Sequence, residues 1–122
     1  MTQGSDEVLD PTVVGELQAL ARSGDPELLQ RLGASFARDA PRRVQALRAA
    51  VAAGDAEAVK FGIHTLRGSA ATLGATEVVA VCRRLENVPA PAGAEQLEPL
   101  LAELERSAVR AQTALTRLAA AS

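Results

Sequence analysis

A chain of 122 residues is long enough for one domain with one core. Apolar side chains make up 48% of it but aromatic ones only 2%, Phe36 and Phe61, so the core must be built from Leu, Val and Ala. That favours close-packed helices over a β-sandwich, and the net charge of −2 is too small to argue for a nucleic-acid partner.

A single cysteine, Cys82, cannot close an internal disulfide, and Cys82 with His64 is too few ligands for a Cys/His metal site. The start "MTQGSDEV" has neither the basic nor the apolar segment of a signal peptide, and no apolar run approaches a membrane span. A cytoplasmic protein without a bound metal or membrane contact is expected. Met1 with a short polar lead suits a free-standing chain.

In chain order, residues 1–7 read as a flexible lead and residues 8–119 as a single helical domain. Asp10 and Pro11 supply an N-cap and a first-turn proline for a short helix that Gly24 ends. Asp25 and Pro26 repeat this start, and Leu28, Leu29, Leu32 and Phe36 follow at helical spacing. At Pro41 either a new helix begins, capped by Asp39 or Ala40, or one long helix kinks; the break is the preferred reading. Val44, Leu47 and Val51 then face inward, up to a stop at Gly54.

Asp55 caps the next helix, which carries Val59, Ile63, Leu66, Ala70 and Leu73 and stops at Gly74. Residues 76–87 form another, with Val78, Cys82 and Leu85 on one face. After the loop "NVPAPAG", Leu97, Leu101, Leu104, Ala108, Ala111, Leu115 and Leu118 make a continuous stripe. Pro99 fits best in a first turn, which places the start near Glu98, and residues 120–122 are expected to fray. Short connections make successive helices antiparallel. The predicted fold is all-α: an antiparallel up-down four-helix bundle with one or two additional short N-terminal helices.

The only histidine lies in "GIHTLRGSAATLG". At about 100° per residue, Ile63, Leu66, Ala70 and Leu73 fall within about 40° of Val59, and His64 falls about 140° away. His64 is therefore on the outer face, together with Lys60, Arg67, Gly68 and Ala71. Phe61 and Thr72 lie slightly further round. A lone histidine is more often an unremarked surface or core residue than a reactive one. Gly68 changes that balance. A mid-helix glycine costs about 0.5–1 kcal/mol against alanine. Close helix packing is the usual reason for one, but this position faces away from the core. The glycine therefore suggests that something approaches the helix beside the imidazole. Arg67 is either an ordinary solvated cation or a partner for negative charge placed on the ring. Phe61 is either partly buried against the preceding helix or part of a protein-binding patch.

These residues resemble the signature of histidine phosphotransfer (HPt) domains: a histidine, any residue, leucine, lysine, glycine, a small-residue run, then an apolar residue and glycine. Here they are His64, Leu66, Arg67, Gly68, Ser69, Leu73 and Gly74. Residues 8–20 look like the family's first helix. "ELLQRLGASFARDAPRRVQALRAAVAAGDAEAV" and "LGATEVVAVCRRLE" are similar to the segments on either side of the signature. Arg67 departs from the commoner lysine; it keeps the charge but presents a planar fork, with an effect expected on transfer rate more than on fold.

The resemblance implies that His64 accepts a phosphoryl group from a receiver-domain aspartate and passes it to another receiver, in a hybrid kinase or a response regulator. Arg67 would stabilise charge, Gly68 would admit the partner, and Lys60, Phe61 and Ala71 would contact it. The receiver would bring the aspartate and Mg²⁺. This chain would be a phosphocarrier with no cofactor of its own, and no GxxxxGK[ST] loop suggests use of ATP. A neutral imidazole is a suitable nucleophile at cellular pH.

Two other readings compete. A helical adaptor could bind receivers or kinases without transfer, against which an intact His64 argues. A structural or dimerising bundle could use the last leucine stripe, although such stripes are usually core. A concentration-dependent mass would favour it; a monomer is expected.

Overall fold

The computed structural model describes residues 8–90 and 92–121. The expected flexible lead, residues 1–7, lies outside the described residues, as does Ser122 of the expected frayed end. Among the described residues there are five principal helices and no strand: α1 (Pro11–Gly24), α2 (Leu28–Ala53), α3 (Ala56–Thr72), α4 (Thr76–Glu86) and α5 (Ala94–Ala121). None is long and apolar enough to cross a membrane.

The last four pack in a ring, α2 on α3, α3 on α4, α4 on α5 and α5 back on α2, which is an up-down four-helix bundle. Helix α1 is the additional N-terminal element and lies against α2. The core contains one ring, Phe36, among Leu47, Leu66, Leu104, Leu115, Val44 and Val78, with Ala70, Ala75 and Ala111 where backbones come close. The leucine stripe of α5 is buried from Leu97 to Leu115, with Leu118 half-buried at the end.

The caps act largely as the sequence indicates. The Asp10 carboxylate accepts from the Thr12 amide at 2.9 Å, and Asp55 accepts from the Ala58 amide at 3.1 Å. Gly54 closes α2 in the left-handed conformation, φ 69°.

Three expected boundaries are corrected. The chain does not break at Pro41: α2 runs through it for 26 residues. Leu29, Gly33, Phe36, Ala40, Val44 and Leu47 are buried at steps of four and three without a change of phase. Pro41 itself is exposed, so the amide bond it cannot make is lost on the solvent side, where packing on the opposite face outweighs it. Helix α2 also starts later than Asp25. The Leu28 amide donates to the Asp25 carbonyl, closing a turn, and the Asp25 carboxylate takes both ends of the Arg31 fork at 2.9 and 2.6 Å. Likewise α5 begins at Ala94 rather than near Glu98, with Pro99 inside it. Buried Leu97 anchors that first turn, and the Gly93 amide donates to Gln96 Oε1 at 3.2 Å.

Gly74 fixes α1 to the bundle. Its φ is 72°, its carbonyl accepts the Asp10 amide at 2.7 Å, and a Cβ there would stand 2.9 Å from Val13 Cβ. Gly74→Ala should therefore cost about 2 kcal/mol or more in urea unfolding. It should also expose the α1 amides to hydrogen exchange, and unchanged stability would show that α1 is not held at this point.

Candidate functional site

Helix α3 is anchored by one face and open on the other. Ile63, Leu66 and Ala70 are buried, and Leu73 and Ala75 continue the buried line into the turn before α4. Val59 is half-buried. His64, Lys60, Gly68 and Ala71 are exposed, as the helical spacing predicts. Phe61 is 72% exposed, so it is not buried against α2; it stands one turn before the histidine.

At Gly68, a Cβ built on the backbone would meet nothing within 4 Å. Packing within the chain therefore gives no reason for glycine there. By contrast, a Cβ at Gly62, on the α2 side of the same helix, would touch Leu47 at 3.4 Å. The Gly68 carbonyl accepts the Thr72 hydroxyl at 3.1 Å, which occupies that side chain locally.

Of the two readings of Arg67, the ordinary solvated cation does not hold. Its Nε donates to Glu86 Oε2 on α4 at 3.1 Å, and one Nη nitrogen lies 3.4 Å from His64 Nδ1. Both members of the Arg67–Glu86 pair are about two-thirds covered, at 29% and 32% exposure, so the guanidinium is held between two helices rather than waving in solvent. A guanidinium only donates hydrogen bonds, so at this contact Nδ1 serves as acceptor. Among the described residues nothing hydrogen-bonds Nε2.

Glu86 is the functional candidate that sequence reasoning missed. It follows Leu85 at the edge of the α4 stripe, and Arg67 sits at the facing edge of α3. Opposite charges at those edges were visible, but their register was not.

Beneath this pair lies Cys82, fully buried, with its thiol pushed up to about 12. Burial is the main cause, and the Glu86 charge adds to it while Arg67 opposes it. The thiol is a packing group here, not a nucleophile.

On the other flank a shallow groove runs between α2 and α3, lined by Leu32, Ser35, Phe36, Asp39, Ser69, Thr72 and Leu73. Asp39 also lines a second depression with Arg42, Arg43 and Ala46. This groove meets α3 at Ser69, Thr72 and Leu73, beyond His64 toward the end of the helix. Among the described residues no three His, Cys, Asp or Glu side chains gather as a metal site would need.

With this geometry in place, the comparisons are specific. The Hpt domain family matches residues 31–121, three-quarters of the chain and all of the bundle from the first turn of α2 onward. The chain belongs to the histidine phosphotransfer (Hpt) domain family, whose members are phosphocarriers that work with receiver domains in two-component relays. Helix α1 lies outside that match. The fold is similar to the crystal structure of histidine-containing phosphotransfer protein B (HptB) from Pseudomonas aeruginosa PAO1. That match has a TM-score of 0.78 and 23% identity over 94% of this chain and 96% of that one. Comparison with curated proteins gives no match.

Two outcomes follow from the packing. Gly68→Ala should stabilise the free protein by about 0.5–1 kcal/mol, since the helix gains and nothing clashes; thermal unfolding measures it, and a loss of stability would mean the site is tighter than described. Cys82 should resist iodoacetamide at pH 8 in the native protein and react once urea unfolds it. Rapid labelling of the native protein would show that α4 opens readily.

Proposed function

We propose that His64 is the phospho-acceptor, taking a phosphoryl group from the aspartyl phosphate of one receiver domain and delivering it to the aspartate of another. The observation that carries this reading is the exposed imidazole beside a Gly68 whose missing side chain leaves open space. A receiver can bring its acyl phosphate against the helix surface there, where any side chain would stand in the way.

Phosphoryl transfer depends on positioning and on stabilising charge at the moving phosphoryl oxygens. His64 Nδ1 faces Arg67 as an acceptor, so the attacking tautomer, with the ring proton moved to Nδ1, gives up that contact and carries the free lone pair on Nε2. Its lone pair forms the N–P bond while the acyl O–P bond breaks and the receiver carboxylate leaves. Arg67, fixed by Glu86, supplies a cation next to the ring. Mg²⁺ would be held by the receiver, where the acidic residues for it belong. Delivery reverses the same step on a second receiver.

Phe61, with Lys60 beside it, gives the partner an apolar knob within a mixed-charge rim, the usual anatomy of a small transient interface, and exposed Ala71 would extend the contact nearly three turns further along α3. The chain acts as a carrier and not as a kinase using ATP. A monomer in the cytoplasm is the state that fits a bundle with its reactive face turned outward.

The test is transfer of labelled phosphate from several phosphorylated receiver domains to the wild type and to His64→Gln. Acid-labile label on the wild type alone, with equal helicity in both proteins, is the expected result. No label from any receiver, with binding still measurable, would overturn it in favour of a non-transferring adaptor. For the approach at Gly68, Gly68→Gln should weaken receiver binding by about tenfold or more while leaving the fold intact. Unchanged affinity would remove the reason given for the glycine.

A further inference from the structure

Three of the four seams of the bundle are bridged by charge. Arg67 meets Glu86 between α3 and α4. Arg84 meets Glu103 and Arg110 meets Glu77 between α4 and α5, and Arg48 meets Glu98 and Glu105 between α5 and α2. Among the described residues, no ion pair and no side-chain hydrogen bond crosses the seam between α2 and α3. The side-chain bonds there stay within one helix, from Ser35 and Arg38 to Asp39 on α2 and from Thr72 to the Gly68 carbonyl on α3.

Two arginines of α2 nevertheless stand on this flank. Asp39, Arg42, Arg43 and Ala46 line one depression. Asp39, one turn before Arg43, is the acceptor nearest in sequence, but its carboxylate accepts from Ser35 at 3.3 Å and faces Arg38 at 3.5 Å. Exposed Arg42 and half-buried Arg43 have no acidic partner among the described residues. Arg43 Nε is withdrawn from water and has no acceptor, alone in this among the side-chain atoms of the described residues. A buried N–H without an acceptor is costly and rare in a folded chain. It has a reason if the acceptor arrives with a partner.

The arginines also stand level with the histidine. A Cβ at Gly62 would touch Leu47, and the two helices run antiparallel. Arg43, one turn before Leu47, therefore comes opposite Leu66, one turn after Gly62 and about 3 Å along the axis from His64. On the edge of α3 that meets α2, Gly62, Thr65 and Ser69 carry no charge.

We propose that Arg42 and Arg43 form a docking site for an acidic side chain, by which this chain selects among receiver domains. A receiver that exchanges phosphate with His64 seats an aspartate or glutamate on this α2 flank. The inference rests on His64 being the phospho-acceptor, as argued above. Neighbouring helix axes lie about 8–10 Å apart, and a standard interface takes roughly 800 Å² of each partner, a patch about 30 Å across. A receiver seated on His64 therefore reaches both arginines. A carboxylate can take parallel bonds from one guanidinium, which gives Arg43 the acceptor its Nε lacks. The pair also speeds encounter with a partner of opposite charge and repels one with lysine or arginine at that place.

The test separates docking from chemistry at the ring. Phosphoramidate, a small donor that needs no docking, and a panel of phosphorylated receiver domains would each label the full-length wild type and an Arg42→Glu/Arg43→Glu double variant. Arg106→Glu/Arg117→Glu, on the outer side of α5, makes the same change in net charge far from His64. With the receiver that labels the wild type fastest, transfer to Arg42→Glu/Arg43→Glu should fall about tenfold or more at ~50 mM salt, and the gap should narrow at ~500 mM. Labelling by phosphoramidate should be equal in all three proteins. Arg43→Met, which keeps the stem and removes the unpaired donors, should slow receiver transfer about threefold or more while its urea midpoint stays level or rises.

An equal fall in the α5 variant, or a matching fall with phosphoramidate, would overturn the site, as would unchanged receiver transfer. A lower urea midpoint for Arg43→Met would make Arg43 a structural residue and overturn its part. A mass that rises with concentration for the wild type but not for Arg42→Glu/Arg43→Glu would assign the arginines to a second copy instead. A wild type labelled by phosphoramidate but by no receiver would overturn both the site and the carrier reading it rests on.

Discussion

The rotation of α3 about its own axis decides what every residue at the site can do, and three side chains fix it. Ile63, Leu66 and Ala70 are almost completely withdrawn from water, against the core that α2, α4 and α5 supply. Turning the helix by one residue, about 100°, would carry Ile63 and Leu66 out of that core. Each such side chain is worth about 1.5–3 kcal/mol on burial, so the alternative orientation is not competitive. With the inner face held, His64, Gly68 and Phe61 have no direction available but outward. The proposed reactive face would take its precision from the buried residues of the same helix.

From the core outward, α3 and α4 form a graded environment. Cys82 lies fully buried with a thiol that stays protonated, the Arg67–Glu86 pair, about two-thirds covered, caps it, and the exposed imidazole stands beyond. A charge pair at that depth keeps more of its strength than one in open solvent and avoids most of the desolvation cost of a buried one. That depth suits the role proposed for Arg67, a cation held beside the His64 ring. The Arg48 fork, spanning Glu105 and Glu98, ties α2 to α5 in a similar way and leaves the His64 face out of the structural load.

Much of this was legible in the residues. The outward position of His64 followed from the period of Val59, Ile63, Leu66, Ala70 and Leu73, and the role of Gly74 as a stop is met by its positive φ. Prolines misled. Pro41 and Pro99 looked like boundaries because local rules count the amide they lack. The structure weighs that amide against a buried stripe that keeps its phase on both sides, and packing wins. Asp25 looked like a cap, but Arg31 six residues on claims its carboxylate. Glu86 was not legible as a site residue. Its partner is 19 residues away on another helix, and only the relative height of α3 and α4 brings the two together. Short-range pattern gives faces; it does not give register between helices.

The central claim is that α3 keeps a structural face and a chemical face apart, with Nε2 of His64 alone presented to the partner. The most direct measurement is nitrogen-15 and phosphorus-31 NMR of the chain after transfer from a phosphorylated receiver, with the histidine ring labelled. The account predicts coupling of phosphorus to Nε2 and unmoved resonances for Ile63, Leu66 and Ala70. Phosphorus on Nδ1, or shifts spread along the buried stripe, would contradict it.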